Sequence, residues 1–207
     1  MSGFTEKLRL KERADEDIYF ARRDRELVEA LRRKRSLPGE GAQQEAGWRP
    51  TKIVSGGQTG VDRAALDAAL SLGIRIGGWC PQGRRSQDGR IPDRYPLAET
   101  PSPAYRQRTG WNVRDSDATL IIHRGTMRGG TRLTAEIAAR YGRPLLTLDL
   151  AGSPDLARVR RWLQAGDVGT LNVAGPREES APGIYAQAYA VLCRLLGDSE
   201  GAEPGAR

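Results

Sequence analysis

From Lys52 onward, short apolar runs alternate with stretches of helical period, and three of the runs end in turns made of glycine and other small residues. That alternation predicts β-α repeats on a parallel sheet, because parallel neighbours need a crossover, most often a helix, between them. About five strands are expected, at 52–55, 74–79, 118–123, 144–150 and 170–174. The intervening helices are expected at 62–72, 102–113, from the glycine turn after Arg124 to Tyr141, 154–165 and 182–196. Gly73 and Gly142 stand where helices stop, and Pro182 suits a first helical turn. On the first helix, Ala65, Leu66, Ala69 and Leu70 are expected to face the sheet. The polar stretch 81–95 has no period and reads as a functional loop, a lid or an intersubunit arm, with a disordered solvated loop as the alternative.

The segment before Lys52 differs in kind. It is densely charged with nearly balanced signs, and 15–35 has helix-forming composition with a narrow apolar stripe at Phe20, Leu27, Val28 and Leu31. It thins into a Gly/Pro/Gln-containing linker at 37–44. The expected organisation is a helical appendage with its linker over 1–48, one α/β ligand-binding domain over 49–198, and a disordered tail over 199–207. At 207 residues the chain has room for one such domain and not two.

Composition narrows the chemistry. Lys+Arg total 33 against 26 Asp+Glu, a formal charge of +7, so anionic partners are favoured. The balanced charge of the appendage argues against nucleic acid. Lysine stops at Lys52, after Lys7, Lys11 and Lys34, so the main body has no Walker A lysine, Schiff-base lysine or Ser-x-x-Lys pair. One histidine, His123, gives little scope for a His-based metal centre or triad. Two distant cysteines, Cys80 and Cys193, make neither a disulfide scaffold nor a Cys-rich zinc site, and no protein-bound metal is expected. No apolar run approaches the roughly 18 residues of a membrane span, and no secretory pattern stands at the N-terminus; the cytoplasm is the expected compartment.

The small-residue turns are 55–60, 125–131 and 174–177, and in a parallel sheet they share one edge. Turns without Cβ atoms bring backbone N–H groups close to a guest, and the helix N-termini that follow add free donors and partial positive charge. Phosphate suits such an edge. Ser55, Gly56, Gly57, Gln58, Thr59, Gly60, Gly125, Gly129, Gly130, Thr131 and Gly175 are the expected binding residues. Arg63, Arg128 and Arg177 join them as forks for phosphate oxygens, with Arg124 and Arg132 close by. Asp62 would sit at a helix N-terminus, to cap it or to hold a ribose hydroxyl or Mg²⁺. Gln58 could read a base edge or pterin ring. Asp115 and Asp117 could bind a cation or simply shape a turn. Cys80 could meet a soft metal or lie buried in the core.

The runs Gly56-Gly57-Gln58-Thr59-Gly60-Val61-Asp62-Arg63, Gly77-Gly78-Trp79-Cys80-Pro81, Trp111-Asn112-Val113-Arg114-Asp115-Ser116-Asp117, Gly129-Gly130-Thr131 and Asn172-Val173-Ala174-Gly175-Pro176-Arg177 carry a family resemblance. Over 52–196 the chain resembles the molybdenum cofactor carrier family, a YpsA-like branch of the group of Rossmann-like proteins named after SMF/DprA and the LOG enzymes. The resemblance implies a Rossmann-like, doubly wound sheet and a homo-oligomer. It also implies a small phosphate-bearing ligand at the strand ends, either the molybdenum cofactor, a pterin phosphate, or a nucleotide.

A more distant likeness runs to LOG-type phosphoribohydrolases, whose Gly-Gly-x-Gly-Thr-x-x-Glu motif falls on 129–136. Here Arg132 and Leu133 replace the inner Gly and Thr, which removes part of a donor-rich turn. Were the chain a nucleoside-monophosphate hydrolase, Glu136 would be its catalytic carboxylate, with Arg128 or Arg114 as partner. Carrier, hydrolase and nucleotide sensor therefore remain as three readings, and a shared framework does not choose among them.

Overall fold

The computed structural model describes residues 49–197. The expected appendage, its helix at 15–35, its linker and the C-terminal tail lie outside the described residues. Five strands form one parallel sheet: β1 (Lys52–Val54), β2 (Arg75–Gly77), β3 (Ala118–His123), β4 (Leu145–Asp149) and β5 (Thr170–Ala174). Five helices connect or follow them: α1 (Val61–Ser71), α2 (Tyr105–Arg114), α3 (Gly129–Arg140), α4 (Leu156–Ala165) and α5 (Ile184–Leu196). No helix among the described residues is long and apolar enough to cross a membrane.

Strand residues alternate between two faces, and the two faces differ. Ile53, Leu120, Ile122, Leu171 and Val173 pack with the apolar stripes of α1, α4 and α5 into the main core. A smaller cluster of Val113, Ile137 and Ala138 joins α2 to α3. Between these helices and the sheet lie polar groups such as Thr119 and Asn172, which bond to each other at 3.2 Å while buried. Leu70, expected to face the sheet, is exposed instead: the stripe of Val61, Ala64, Ala65, Ala68 and Ala69 already fills the sheet-facing side of α1.

The strand order is β2-β1-β5-β3-β4. Were β5 and α5 moved to the front of the chain and the strands renumbered, the order would read 3-2-1-4-5, as in a Rossmann-type sheet. The sheet is thus doubly wound, but its central strand comes last in sequence. The two ends of the domain meet where such a permutation requires: Arg49 Nη1 donates to Leu72 O at 3.4 Å, and Gly197 packs beside the same leucine. In this order the topological switch point, where α/β sheets open a crevice, falls between β5 and β3.

The stretch 81–97 is an ordered arm built around a buried cation. Arg84, in the left-handed region at φ 52°, donates to the carbonyls of Ile91, Pro92, Tyr95 and Leu97 at 2.9–3.2 Å. Ile91, Tyr95 and Leu97 then close over Leu66 and Cys80 as a second small core. Tyr95 and Tyr185 both donate to Asp67, at 2.8 and 2.9 Å, tying the arm and α5 to α1. Burial, followed by the hydrogen bond to Asp67 and then its charge, pushes both phenols up to about 12.

Candidate functional site

A cleft of about 410 Å³ opens at the switch point. Its walls are the β3–α3 turn, the β5–α5 turn and one face of α2, and Gln58 of the β1–α1 turn and Asp62 in the first turn of α1 also line it. The three small-residue turns lie on one edge of the sheet as expected, yet they do different work.

The first turn is filled by the protein itself. A β-carbon on Gly56 would stand 1.7 Å from Nη1 of Arg108, whose guanidinium lies against the bare backbone. Gly57, at φ 71°, meets Leu97 and Ile91 of the arm. Gly60, at φ 77°, meets the Pro176–Arg177 backbone, so the first and third turns lock together, and Val61 N donates to Pro176 O at 3.2 Å. Ser55 is buried and gives its hydroxyl to Val173 O at 2.8 Å. Thr59 bonds to Glu179 at 3.0 Å. Arg63 turns toward the arm and forks onto Asp88 at 2.5 and 3.1 Å. Ser55, Gly56, Gly57, Thr59, Gly60 and Arg63 are therefore not part of the cleft lining; their residue types answer to packing and to the arm.

The second turn is open. Gly125 and Gly129 adopt φ of 69° and 50°, which calls for glycine. Gly130 has no such conformation, and a β-carbon there would meet nothing within 4 Å. The α3 helix starts at Gly129 with no side-chain cap, which leaves the N–H groups of Gly129 and Gly130 available as donors, while Thr131 N already reaches Arg128 O at 3.2 Å. Arg124, Arg128, Gly129, Gly130 and Thr131 line the cleft, whereas Gly125 spends its N–H on Asp149 at 2.9 Å. His123 lines it too, with Nδ1 2.7 Å from Gly125 O.

The third turn contributes Gly175, Pro176 and Arg177. Gly175 is required by packing, since a β-carbon would lie 2.3 Å from Ile122 O. Arg177 crosses the Tyr105 ring at 5.2 Å and donates to Gln87 of the arm at 3.0 Å.

Helix α2 supplies residues outside the sequence-based expectation, chiefly Tyr105, Arg108 and Thr109. It is clamped by Asn112, whose amide accepts from Trp79 N at 2.8 Å and donates to Trp79 O at 2.9 Å. The clamp holds Arg108 over the first turn, where Nη1 donates to Asp62 at 3.0 Å. Asp62 is buried, and burial raises its carboxyl above the usual carboxylate value against the opposing pull of Arg108. The polar composition of α2, whose buried face carries Thr109, Gly110, Asn112 and a single aliphatic, Val113, was the available signal.

The remaining candidates lie elsewhere. Glu136 stands in solvent, its side chain 58% exposed and paired with Arg132 at 3.2 Å, and it is not part of the cleft lining. Asp117 accepts from Thr170 N at 2.6 Å and so sets the start of β5. Asp115 holds the Trp79 indole at 2.7 Å. Cys80 is fully buried in the arm's core, which pushes its thiol up. Among the described residues no group of three or more His, Cys, Asp and Glu is placed to hold a metal ion. The cleft's chemistry is thus cationic and rich in donors, suited to an oxyanion at the start of α3.

Comparison with known proteins agrees with the permuted order. Residues 53–196 match the circularly permutated YpsA SLOG family. Among solved structures the chain is similar to a protein from Syntrophus aciditrophicus SB, described as a "putative molybdenum carrier protein", with 42% identity and a TM-score of 0.68 over 75% of this chain and 99% of that one. No curated protein matches. With the family's pattern running across the whole described domain, and the sheet permuted as its description says, the chain belongs to the circularly permutated YpsA SLOG family.

Proposed function

We propose that the cleft between β3 and β5 binds a phosphate-bearing, nucleotide-like ligand, and that the ligand is a pterin phosphate of the molybdenum cofactor type. The observation that carries the reading is Gly130. Neither backbone conformation nor packing requires glycine there, while close approach of a guest to an uncapped helix N-terminus does. Arg124 and Arg128 line the same cleft and supply the opposite charge. The family and the carrier description of the Syntrophus protein favour the cofactor over an ordinary nucleotide. The phosphate would lie against Gly129, Gly130 and Thr131 with Arg128, and the ring would point toward Gln58 and Asp62. The cofactor's own molybdenum–dithiolene chemistry would come with it, and Cys80, sealed in the arm's core, offers that metal no thiolate.

A binding role is favoured over N-glycoside hydrolysis because Glu136 lies outside the cleft. Isothermal titration with a pterin phosphate, nucleoside monophosphates and inorganic phosphate tests the proposal. The expected order of affinity is pterin phosphate, then nucleotides, then phosphate alone. Absence of binding by all of them at millimolar concentration would end it. We also take the protein to act in the cytoplasm as a homo-oligomer, which sedimentation velocity checks for the assembly.

A further inference from the structure

Three buried side-chain nitrogens find no acceptor among the described residues: Gln58 Nε2, Arg63 Nε and Arg108 Nε. All are donors, and all belong to side chains around the first turn. Two of them, on Gln58 and Arg108, are on residues that line the cleft. A buried donor without a partner is uncommon in a native fold, and here the shortage runs in one direction.

The Gln58 amide cannot turn over to cure it. Its Oε1 accepts from Thr59 N at 3.0 Å and from Gln87 N at 2.8 Å, so the reversed amide would set NH₂ against two N–H groups. The side chain, with Gln58 only 4% exposed, is locked as a donor. Three backbone N–H groups here are occupied as well: Gln58 N faces Asp62 at 3.4 Å, and Thr59 N and Val61 N are bonded as above. The Asp62 carboxylate disfavours an anion at this end. What the end lacks is a neutral acceptor. A carbonyl oxygen has two lone pairs to offer a fixed donor such as Gln58 Nε2, whereas a ring nitrogen has one.

Resting on the ligand-binding reading above, we propose that Gln58 is a specificity-determining residue that reads a ring carbonyl. The site then takes monophosphates of 6-oxopurines or 4-oxopteridines in preference to their amino counterparts.

The test compares two pairs of probes by isothermal titration: inosine against adenosine monophosphate, and 6-hydroxymethylpterin phosphate against its 4-amino counterpart. In the native protein the oxo member should bind about tenfold or more tightly. Gln58→Glu keeps an oxygen for Thr59 and Gln87 but turns the donor into an acceptor, and at pH 8 it should abolish or reverse the preference. Gln58→Met removes the donor without adding charge and should bring the ratio close to one. Equal affinities in the native protein, or an unchanged ratio in both variants, would overturn this assignment while leaving the cleft reading intact. If none of the four probes binds, the cleft reading itself fails.

Discussion

Arg108 lies flat against Gly56 and binds Asp62 from the same position: a β-carbon on the glycine would come within 1.7 Å of the nitrogen that donates to the carboxylate at 3.0 Å. Gly56→Ala should therefore push Arg108 away from Asp62 and cost about 1–3 kcal/mol, since a buried carboxylate loses its partner. Arg108→Met should cost as much or more. The double variant should be no worse than Arg108→Met alone, because both changes break one interaction. Urea denaturation of the four proteins measures the coupling, and simple additivity would contradict the geometry.

The Asp62 carboxyl also sets a pH dependence. Burial raises it in the folded chain above its ordinary value of 3.8, and Arg108 holds the rise in check. A carboxyl that keeps its proton longer when folded makes the fold lose stability as pH rises from that value through the folded one. Without Arg108 the folded value climbs and the window extends upward. The stability gap between the native protein and Arg108→Met should widen between pH 4 and pH 8, as denaturation midpoints across that range would record.

The arm should respond to acid in the opposite sense. The Arg63 hydrogen bonds bring Asp88 down to about 2, so the contribution of this ion pair is present above the unfolded carboxylate value of about 3.9 and fades as pH falls toward 2. Asp88 is 46% exposed, so the global effect is small. Its local effect should show as faster protease cleavage within 82–95 at acid pH. Asp88→Asn should be cut readily at every pH and lose that dependence.

Gly130→Ala separates fold from site. With open space around the position and an ordinary backbone conformation, alanine should leave the fold unchanged or up to about 1 kcal/mol more stable. Phosphate-bearing ligands should nevertheless bind about tenfold more weakly, because a methyl group intrudes on the helix N-terminus. Thermal melts alongside titrations would show the split; loss of stability with unchanged affinity would be the wrong way round for the proposal.

Glu136→Gln should change little. An exposed i,i+4 pair with Arg132 contributes no more than about 0.5 kcal/mol, and ligand affinity should stay the same. Release of free base from nucleoside monophosphates by the native protein, abolished by this substitution, would instead favour the hydrolase.

The elements of the sheet were legible because their signals are local. The strands at 118–123 and 170–174 have the expected limits, as β3 and β5 do, for a buried run flanked by polar turns admits little else. Gly73 and Gly142 stop their helices at φ of 66° and 60°. That the three turns share an edge followed from parallel topology. Their division of labour did not, because it depends on which side chain arrives from elsewhere. Nothing in 55–60 says that Arg108, about fifty residues on, will occupy the first turn, or that Leu97 will cover Gly57. Glycine looks the same in sequence whether it makes room for a ligand or for the protein's own atoms.

The order of the arm was hidden for a related reason. A polar, aperiodic stretch reads as loose, but Arg84 binds four carbonyls at once and supplies from inside the order that an apolar stripe would otherwise provide. Arg108 and Tyr105 escaped notice because a helix with one buried aliphatic gives no face to orient. In retrospect, a helix too polar to be held by burial must be held by something polar.

The permuted order also bears on how the protein is made. Strand β5, at the middle of the sheet, is the last of the five to leave the ribosome, and its bonds to β1 and β3 pair residues such as Lys52 with Thr170 and Ala118 with Leu171. Until Thr170 emerges, the pairs β1–β2 and β3–β4 have no strand to join them. A chain that stops before that strand lacks both the link between the two pairs and the cleft wall that the β5–α5 turn supplies.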